Sequence, residues 1–281
     1  MASEATEKTV RTRRPPRRGM YVLPSLFTVG NIAAGYYAIT QSILGAADGD
    51  PVRFNHAALA IGIAVLFDGF DGMIARMTNT ASDFGRELDS LADVITFGVA
   101  PSLLAYLWGF RMLPALAHPL IRGRLAHLGI FACFLFLICG ASRLARFNIS
   151  VNPQPRNPGR PGRKYFVGMP IPAGAGVIAS VIHFEQGSPI QDPRMAVLWL
   201  CLILFVGFLM VSTWRFWSGK ELNVGGRHPF RLVVVLVFFG TLIVLWSEQM
   251  LLVLALGYLV SGVLARIAYS WRWGRKRETG A

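Results

Sequence analysis

The sequence predicts an all-α integral membrane protein, a polytopic bundle of about eight transmembrane helices with both termini in the cytoplasm. Three observations lead to this fold class. Of the 281 residues, 53% are hydrophobic and only 15% are charged, whereas a soluble domain carries about 25% charged residues. Apolar stretches of about 20 residues, the length of a helix that crosses a bilayer, recur along the chain. Lysine and arginine cluster on one side of these stretches.

Eight apolar segments are long enough to span a membrane. They lie at about 23–46, 55–77, 85–109, 124–146, 168–185, 194–214, 230–247 and 249–271. Only a short polar break at 247–249 separates the last two, which we interpret as a hairpin. The chain therefore divides into a basic tail, a membrane core, and a C-terminal hairpin with a second basic tail. Their bounds are 1–19, 20–220 and 221–281.

The distribution of basic residues predicts the orientation. With the N-terminus inside, all but five of the 28 lysines and arginines fall on the cytoplasmic side. The exceptions are Arg53, Arg111, Arg122, Arg124 and Arg194. In a soluble protein the net charge of +13 would suggest a nucleic-acid partner. In a chain this apolar it indicates membrane lipid headgroups and an anionic substrate instead, with no nucleic acid.

Four aspartates interrupt the second and third predicted spans. An unpaired carboxylate inside a bilayer costs at least about 2.5 kcal/mol, so such a cluster needs a neutralising cation. Helical periodicity places the acids of each span on one face, and the short turn at 77–84 makes the two helices antiparallel. The faces then converge near the cytoplasmic side, and oxygen ligands of this kind suit one or two Mg²⁺ or Mn²⁺ ions. The four are Asp68, Asp71, Asp89 and Asp93.

Small and basic residues share the acidic faces. Gly72, Ala75 and Arg76 follow Asp71 on the second span, and Gly85 precedes the acids of the third. Glycine permits close approach of a ligand, and the arginine fork suits a phosphate. Two alternatives remain: helix-end charges that only cap a cytoplasmic turn, and the ion pathway of a divalent-cation transporter. Transporters are typically built from paired repeats, and residues 124–270 contain no second copy of the acidic motif.

Two runs, DGFDGMIAR at 68–76 and GRELDSLAD at 85–93, carry every specified position of a known family signature. The pattern is D-x-x-D-G-x-x-A-R, eight residues, then G-x-x-x-D-x-x-x-D. The chain therefore resembles the CDP-alcohol phosphotransferases. This resemblance implies a six-helix membrane core, usually dimeric, in which a second alcohol displaces CMP from a CDP-alcohol with the help of a divalent metal.

Further runs resemble the serine-using members of that family, the phosphatidylserine synthases of bacteria and archaea. They are LPSLFTVGN at 23–31, ITFGVAP at 95–101, RLARFN at 143–148, FVGMPIPA at 166–173 and, more loosely, MVSTWRF at 210–216. The expected substrates are CDP-diacylglycerol and L-serine, and the expected products are phosphatidylserine and CMP. We expect a homodimer in a prokaryotic cytoplasmic membrane, with its active site facing the cytoplasm. Other acceptors, namely glycerol 3-phosphate, inositol phosphate or choline, remain alternatives.

The resemblance also implies roles for individual residues. The four aspartates would bind the metal, and Asp93 would in addition act as general base on the serine hydroxyl. The CDP pocket would comprise Thr28, Asn31, Gly72, Ala75, Arg76 and Gly85. Arginines at the end of the fourth span are candidates for the serine carboxylate, and two further basic residues could steady a phosphate. These acceptor-side candidates are Arg143, Arg146, Lys164 and Arg215.

Overall fold

A computed structural model describes residues 22–78, 83–114, 119–150, 165–218, 240–242 and 245–278. Within these ranges the side chains are described except at 22–26, 70–78, 83 and 272–278. The described chain is almost entirely helical, with one two-stranded sheet. An all-α membrane protein is therefore confirmed as the fold class, and the small sheet is a feature that the sequence did not predict.

The first two helices form an antiparallel pair. Helix α1 (Val22–Asp48) and helix α2 (Pro51–Thr78) are joined by a two-residue turn. Gly49 adopts a φ of 70°, a left-handed conformation that glycine accommodates without a steric penalty. The Asp50 carboxylate then accepts a hydrogen bond of 2.9 Å from the Val52 N–H at the start of α2. This tight turn lets α1 pack along α2.

The third span is one continuous helix that contains two π-helical segments. It consists of α3 (Asp83–Asp93), a π-helical segment (Val94–Val99), α4 (Ala100–Tyr106) and a second π-helical segment (Leu107–Arg111). A π-helical turn inserts an extra residue into the hydrogen-bond ladder, and such turns are frequent at functional sites. The first one begins directly after Asp93.

Four more helices complete the described bundle. They are α5 (Pro119–Ile149), α6 (Ile171–Phe184), α7 (Pro193–Val211) and α8 (Ser247–Glu278). Strand β1 (Tyr165–Val167) precedes α6 and pairs antiparallel with β2 (Arg215–Trp217), which follows α7. Helix α5 packs on α7, α2 packs on α6, and α8 packs on both α6 and β2. The last helix is thus attached to the core.

Five helices of the described chain are long and apolar enough to cross a membrane: Pro51–Gly69, Phe84–Arg111, Pro119–Ile149, Pro193–Val211 and Ser247–Trp271. Helix α1, with 27 residues, lies where the first span is predicted. Helix α6 is apolar but has only 14 residues, because Pro170 is still extended and the helix begins only at Ile171, inside the predicted fifth span. The predicted seventh span, 230–247, lies mostly outside the described residues.

Helix α6 lies at the centre of the described bundle, since most of its side chains are buried. Its Gly174 allows α7 to approach closely: a Cβ there would come within 3.2 Å of Met210 Sδ and Val206 Cγ1. Packing this tight holds the helices in fixed positions. The polar site described next is built on their side chains.

Candidate active site

Three aspartates meet where α2 and α3 face each other. One carboxylate oxygen from each of Asp68, Asp89 and Asp93 lies within 4.8 Å of the other two. Asp93 is only 8% exposed, and the other two are half-buried. The structure brings these three together as the helical spacing predicts. The side chain of Asp71, the fourth predicted ligand, lies outside the described residues.

The donor set fits a hard divalent cation. Mg²⁺ binds oxygen ligands at about 2.1 Å, so two ligands of one ion lie at most about 4.2 Å apart. Three carboxylate oxygens within 4.8 Å need only small side-chain adjustments to reach that spacing. A cluster of negative charges at this depth also requires a compensating positive charge. Asp68, Asp89 and Asp93 could therefore hold the ion that the sequence leads us to expect.

Helix α1 lines the site with two buried polar residues. Thr28 is 4% exposed and Asn31 is 2% exposed. The Asn31 Oδ1 atom is buried and has no hydrogen-bond partner among the described residues. Leaving such an atom unpaired costs about 1–3 kcal/mol, so it is suited to receive a hydrogen bond from a ligand. Both residues were predicted to contact the CDP group.

The π-helical segment after Asp93 fixes α1 against α3. Thr96 Oγ1 donates a hydrogen bond of 3.0 Å to the carbonyl oxygen of Asn31. Gly35 makes this approach possible, because a Cβ there would come within 2.6 Å of Thr96 Oγ1 and within 2.9 Å of Thr96 Cα. The sequence did not predict this contact. The only signal for it was a glycine one turn after Asn31, within a helix.

Among the predicted basic residues that the structure describes, Arg143 has the surroundings best suited to binding an anion. It lies on α5 and is only 6% exposed. Its guanidinium carbon lies 5.3 Å from the ring centre of Phe147 and 5.7 Å from that of Phe166. It interacts electrostatically with Asp93 and Asp68. Its Nε atom is buried without a hydrogen-bond partner among the described residues.

Arg146, one turn further along α5, has a structural set of contacts. Its guanidinium donates to the carbonyl oxygens of Val211 at 3.0 Å, Ser212 at 3.4 Å and Val167 at 3.5 Å. These bonds tie α5 to the end of α7 and to β1. Of the two predicted candidates for the acceptor carboxylate, Arg143 thus has more donor capacity left for a ligand.

The remaining predicted residues fall at the margins of this region. Arg215 stacks on the Tyr165 ring at 5.2 Å, and Gly85 lies half-buried in the first turn of α3. Lys164 and the side chains of Gly72, Ala75 and Arg76 lie outside the described residues. A small cavity of about 30 Å³ adjoins the two α5 arginines. It is lined by Arg143, Arg146, Phe147, Tyr165, Phe166 and Val167.

Sequence reasoning missed the aromatic residues around Arg143. Phe147 follows Arg143 by four residues on the same helix face, a spacing that could have identified it. Phe166 comes from β1, and its proximity depends on the unpredicted sheet. Tyr258 comes from α8, and its ring packs on that of Phe216, which pairs opposite Phe166; no motif in the sequence marks it.

Comparison with known proteins agrees with this site. Residues 21–187 match the family model described as CDP-alcohol phosphatidyltransferase. The protein named CDP-diacylglycerol--serine O-phosphatidyltransferase from Helicobacter pylori (strain ATCC 700392 / 26695) is 32% identical over 249 residues, 89% of this chain and 92% of that protein. Its namesake from Bacillus subtilis (strain 168) is 34% identical over 70% of this chain and 90% of that protein.

An archaeal relative is similar over a shorter stretch. The protein named archaetidylserine synthase from Methanothermobacter thermautotrophicus (strain ATCC 29096 / DSM 1053 / JCM 10044 / NBRC 100330 / Delta H) is 37% identical over 162 residues, 56% of each chain. The matched family segment contains the whole acidic cluster and all of α6, while α7, β2 and α8 follow it.

Proposed function

Because this chain belongs to the CDP-alcohol phosphatidyltransferase family, we propose that it transfers the phosphatidyl group of CDP-diacylglycerol to the hydroxyl of L-serine. The products are phosphatidylserine and CMP. The observation that carries the proposal is the pairing of the acidic cluster with the buried Arg143 beside it. A transferase of this family uses the acidic cluster for the nucleotide-linked phosphates. Arg143 supplies a positive charge for an anionic acceptor.

Serine fits the cationic side of the site better than the other acceptors. A single guanidinium in an aromatic cage matches one carboxylate, with which it forms two parallel hydrogen bonds. Glycerol 3-phosphate and inositol phosphate carry a phosphate of nearly two negative charges and call for a denser cationic pocket. Arg146 contributes little to such a pocket, because its guanidinium already donates to three carbonyls. Choline is a cation and would be repelled by Arg143. The relatives named above are named for serine products.

The lipid donor follows from the same names. The Helicobacter pylori and Bacillus subtilis proteins are named for CDP-diacylglycerol and span most of this chain. The protein named for an archaetidyl product matches 56% of this chain. We therefore take diacylglycerol as the lipid moiety.

Asp93 is the general base in this proposal. It is the most buried of the three acids whose side chains the structure describes, and a buried carboxylate can be held close to the hydroxyl that it deprotonates. The serine oxygen forms a bond to the phosphorus that bears the diacylglycerol, the bond from that phosphorus to the CMP oxygen breaks, and Asp93 takes the serine proton. General-base assistance of this kind contributes about 10²–10⁴-fold.

The other acids and α1 orient the donor. Asp68, Asp71, Asp89 and Asp93 would hold one or two Mg²⁺ or Mn²⁺ ions, which supply positive charge to the diphosphate and to the departing CMP. Thr28 and Asn31 offer hydrogen-bonding groups to the cytidine end. Gly72, Ala75, Arg76 and Gly85 complete that pocket by the family pattern.

The membrane arrangement is part of the proposal. Eight spans, with both termini and the acidic cluster on the cytoplasmic side, fit the distribution of lysine and arginine. A basic tail at 1–19, a catalytic core at 20–220 and a C-terminal hairpin at 221–281 make up the chain. The enzyme is a homodimer of the prokaryotic cytoplasmic membrane, where both the lipid donor and cytosolic serine are available.

The test is release of CMP from CDP-diacylglycerol by the purified protein with Mg²⁺ or Mn²⁺. Serine, glycerol 3-phosphate, inositol phosphate and choline are compared as acceptors. We expect release only with serine, its loss in EDTA, and a fall of at least about 10²-fold for Asp93→Asn. Asp48→Asn, which alters an exposed carboxylate paired with Arg53 at the other end of the α1–α2 pair, serves as the control.

Release with a different acceptor would overturn the serine assignment and keep the transferase chemistry. Protein that binds Mn²⁺ yet releases no CMP with any acceptor would overturn the proposed reaction and favour cation transport. Full activity of Asp93→Asn would remove the proton-transfer role from that residue.

A further inference from the structure

The C-terminal helix α8 is fixed against the edge of the candidate acceptor pocket. The Tyr258 hydroxyl donates a hydrogen bond of 3.2 Å to the carbonyl oxygen of Trp217 in β2. The Tyr258 ring lies 5.7 Å from the Phe216 ring, centre to centre, at an angle of 33°. One turn later, Gly262 has no room for a side chain, because a Cβ there would collide with the Phe216 ring. Helix α8 and β2 therefore form a close-packed unit.

Strand β2 connects this unit to Arg143. Phe216 pairs directly opposite Phe166 in the two-stranded sheet, and the Phe166 ring lies under the Arg143 guanidinium at 5.7 Å. The sheet thus joins α8 to the Arg143 guanidinium.

The chemistry of a tyrosine suits this position. The Tyr258 hydroxyl donates its proton to the Trp217 carbonyl, so it ties α8 to the strand whose partner strand carries Phe166, the ring that lies against the Arg143 guanidinium. Unlike a carboxylate, a neutral phenol leaves the full positive charge of Arg143 available for an anionic ligand. An acid at this place would neutralise the receptor.

We propose that Tyr258 is a positioning residue for the acceptor: it orients the Arg143 guanidinium toward the carboxylate of serine, which makes α8 part of the active site. This inference rests on the proposed function, since it assigns Arg143 to the serine carboxylate. It gives the last helix, which lies beyond the matched family segment, a role in acceptor affinity.

Tyr258→Phe tests this role because it removes one oxygen and keeps the ring that packs on Phe216. We expect the KM for serine to rise up to about tenfold, the effect of losing the hydrogen bond that holds β2 against α8. The KM for CDP-diacylglycerol and kcat should stay within about twofold. The matched control is Tyr36→Phe, which removes a phenol oxygen from a residue of α1 that is 67% exposed, and it should change none of the three constants.

A double-mutant comparison identifies the path of the effect. In an Arg143→Lys background, Tyr258→Phe should change kcat/KM for serine by less than about twofold, because residues that act through each other are not additive. An unchanged KM for serine in Tyr258→Phe, or equal rises in both KM values as general destabilisation would give, overturns the inference. So does a full tenfold effect in the Arg143→Lys background. Failure of the wild-type protein to release CMP with serine would instead refute the proposed function itself.

Discussion

We expect the acidic cluster to destabilise the folded protein without metal and to stabilise it when metal is bound. Three carboxylate oxygens lie within 4.8 Å of one another. At that separation two unit charges repel by about 3.5 kcal/mol at an effective dielectric constant of 20. Asp68 and Asp89 are half-buried, so water screens part of the repulsion, and Arg143 offsets another part. Asp89→Asn removes two of the three repulsive pairs, and we expect it to stabilise the metal-free protein by about 1–2 kcal/mol.

The order should reverse when metal is added. A ligand at about 100 times its Kd stabilises the folded state by about 2.7 kcal/mol. Saturating Mn²⁺ should stabilise the wild-type protein by about this amount. It should stabilise Asp89→Asn much less, because the variant has one ligand charge fewer. About 2–4 °C of Tm corresponds to each kcal/mol in a chain of this size. Asp89→Asn should therefore melt about 2–8 °C above wild type in EDTA and below it in Mn²⁺.

Thermal unfolding of the detergent-purified protein measures both conditions, with Asp48→Asn as the carboxylate control outside the cluster. A lower Tm for Asp89→Asn in EDTA would refute the reasoning, because it would mean that the acids stabilise the fold by hydrogen bonds rather than repel one another. An undiminished Mn²⁺ shift in the variant would equally exclude Asp89 as a ligand.

Two further substitutions test how the site is supported. Gly35→Ala would place a Cβ within 2.6 Å of Thr96 Oγ1. We therefore expect the free energy of unfolding to fall by about 1–3 kcal/mol and kcat to fall at least about tenfold, which corresponds to about 1.4 kcal/mol. Gly30→Ala, on the same helix where no described atom lies within 4 Å of such a Cβ, should be neutral; equal Tm and kcat for the two would contradict the close contact. Arg146→Lys loses the fork that reaches three carbonyls, including that of Ser212, so its Tm should fall while its KM for serine stays within about twofold. A KM effect without a Tm change would show that Arg146, too, binds the acceptor.

The sequence could predict the acidic cluster because helical periodicity alone determines it. Residues four apart on a helix lie on one face whatever surrounds the helix, so Asp89 and Asp93 had to point the same way. The short turn before α3 then made the two acidic faces meet. Such an inference needs only local geometry and the cost of a charge in a bilayer. Hydropathy likewise predicted where helices lie at the first six predicted spans and the last, and five of these helices are long and apolar enough to cross a membrane.

Features that depend on contacts between distant segments could not be predicted. The π-helical turn after Asp93 is stabilised by the hydrogen bond from Thr96 to α1, 65 residues away in sequence. The run VITFGV contains no local signal that predicts a π-helical turn. The two short strands are three residues each and pair across two helices, below the length at which alternation becomes visible. The aromatic cage of Arg143 depends on that sheet, so it was hidden for the same reason.

The two α5 arginines show how the structure resolves what spacing leaves open. Arg143 and Arg146 are three residues apart, carry the same charge and lie at the same end of the helix, so the sequence cannot separate anchoring from binding. Their surroundings in the structure distinguish the two roles. A guanidinium that already donates to three carbonyls, as Arg146 does, would lose those bonds if it turned to a substrate. A guanidinium held by ring faces, as Arg143 is, keeps its donors and is desolvated in advance, so a bound carboxylate regains what burial had cost. These surroundings favour Arg143 over Arg146 for the proposed recognition of the acceptor, and the proposed role of Tyr258 would act on it through β2.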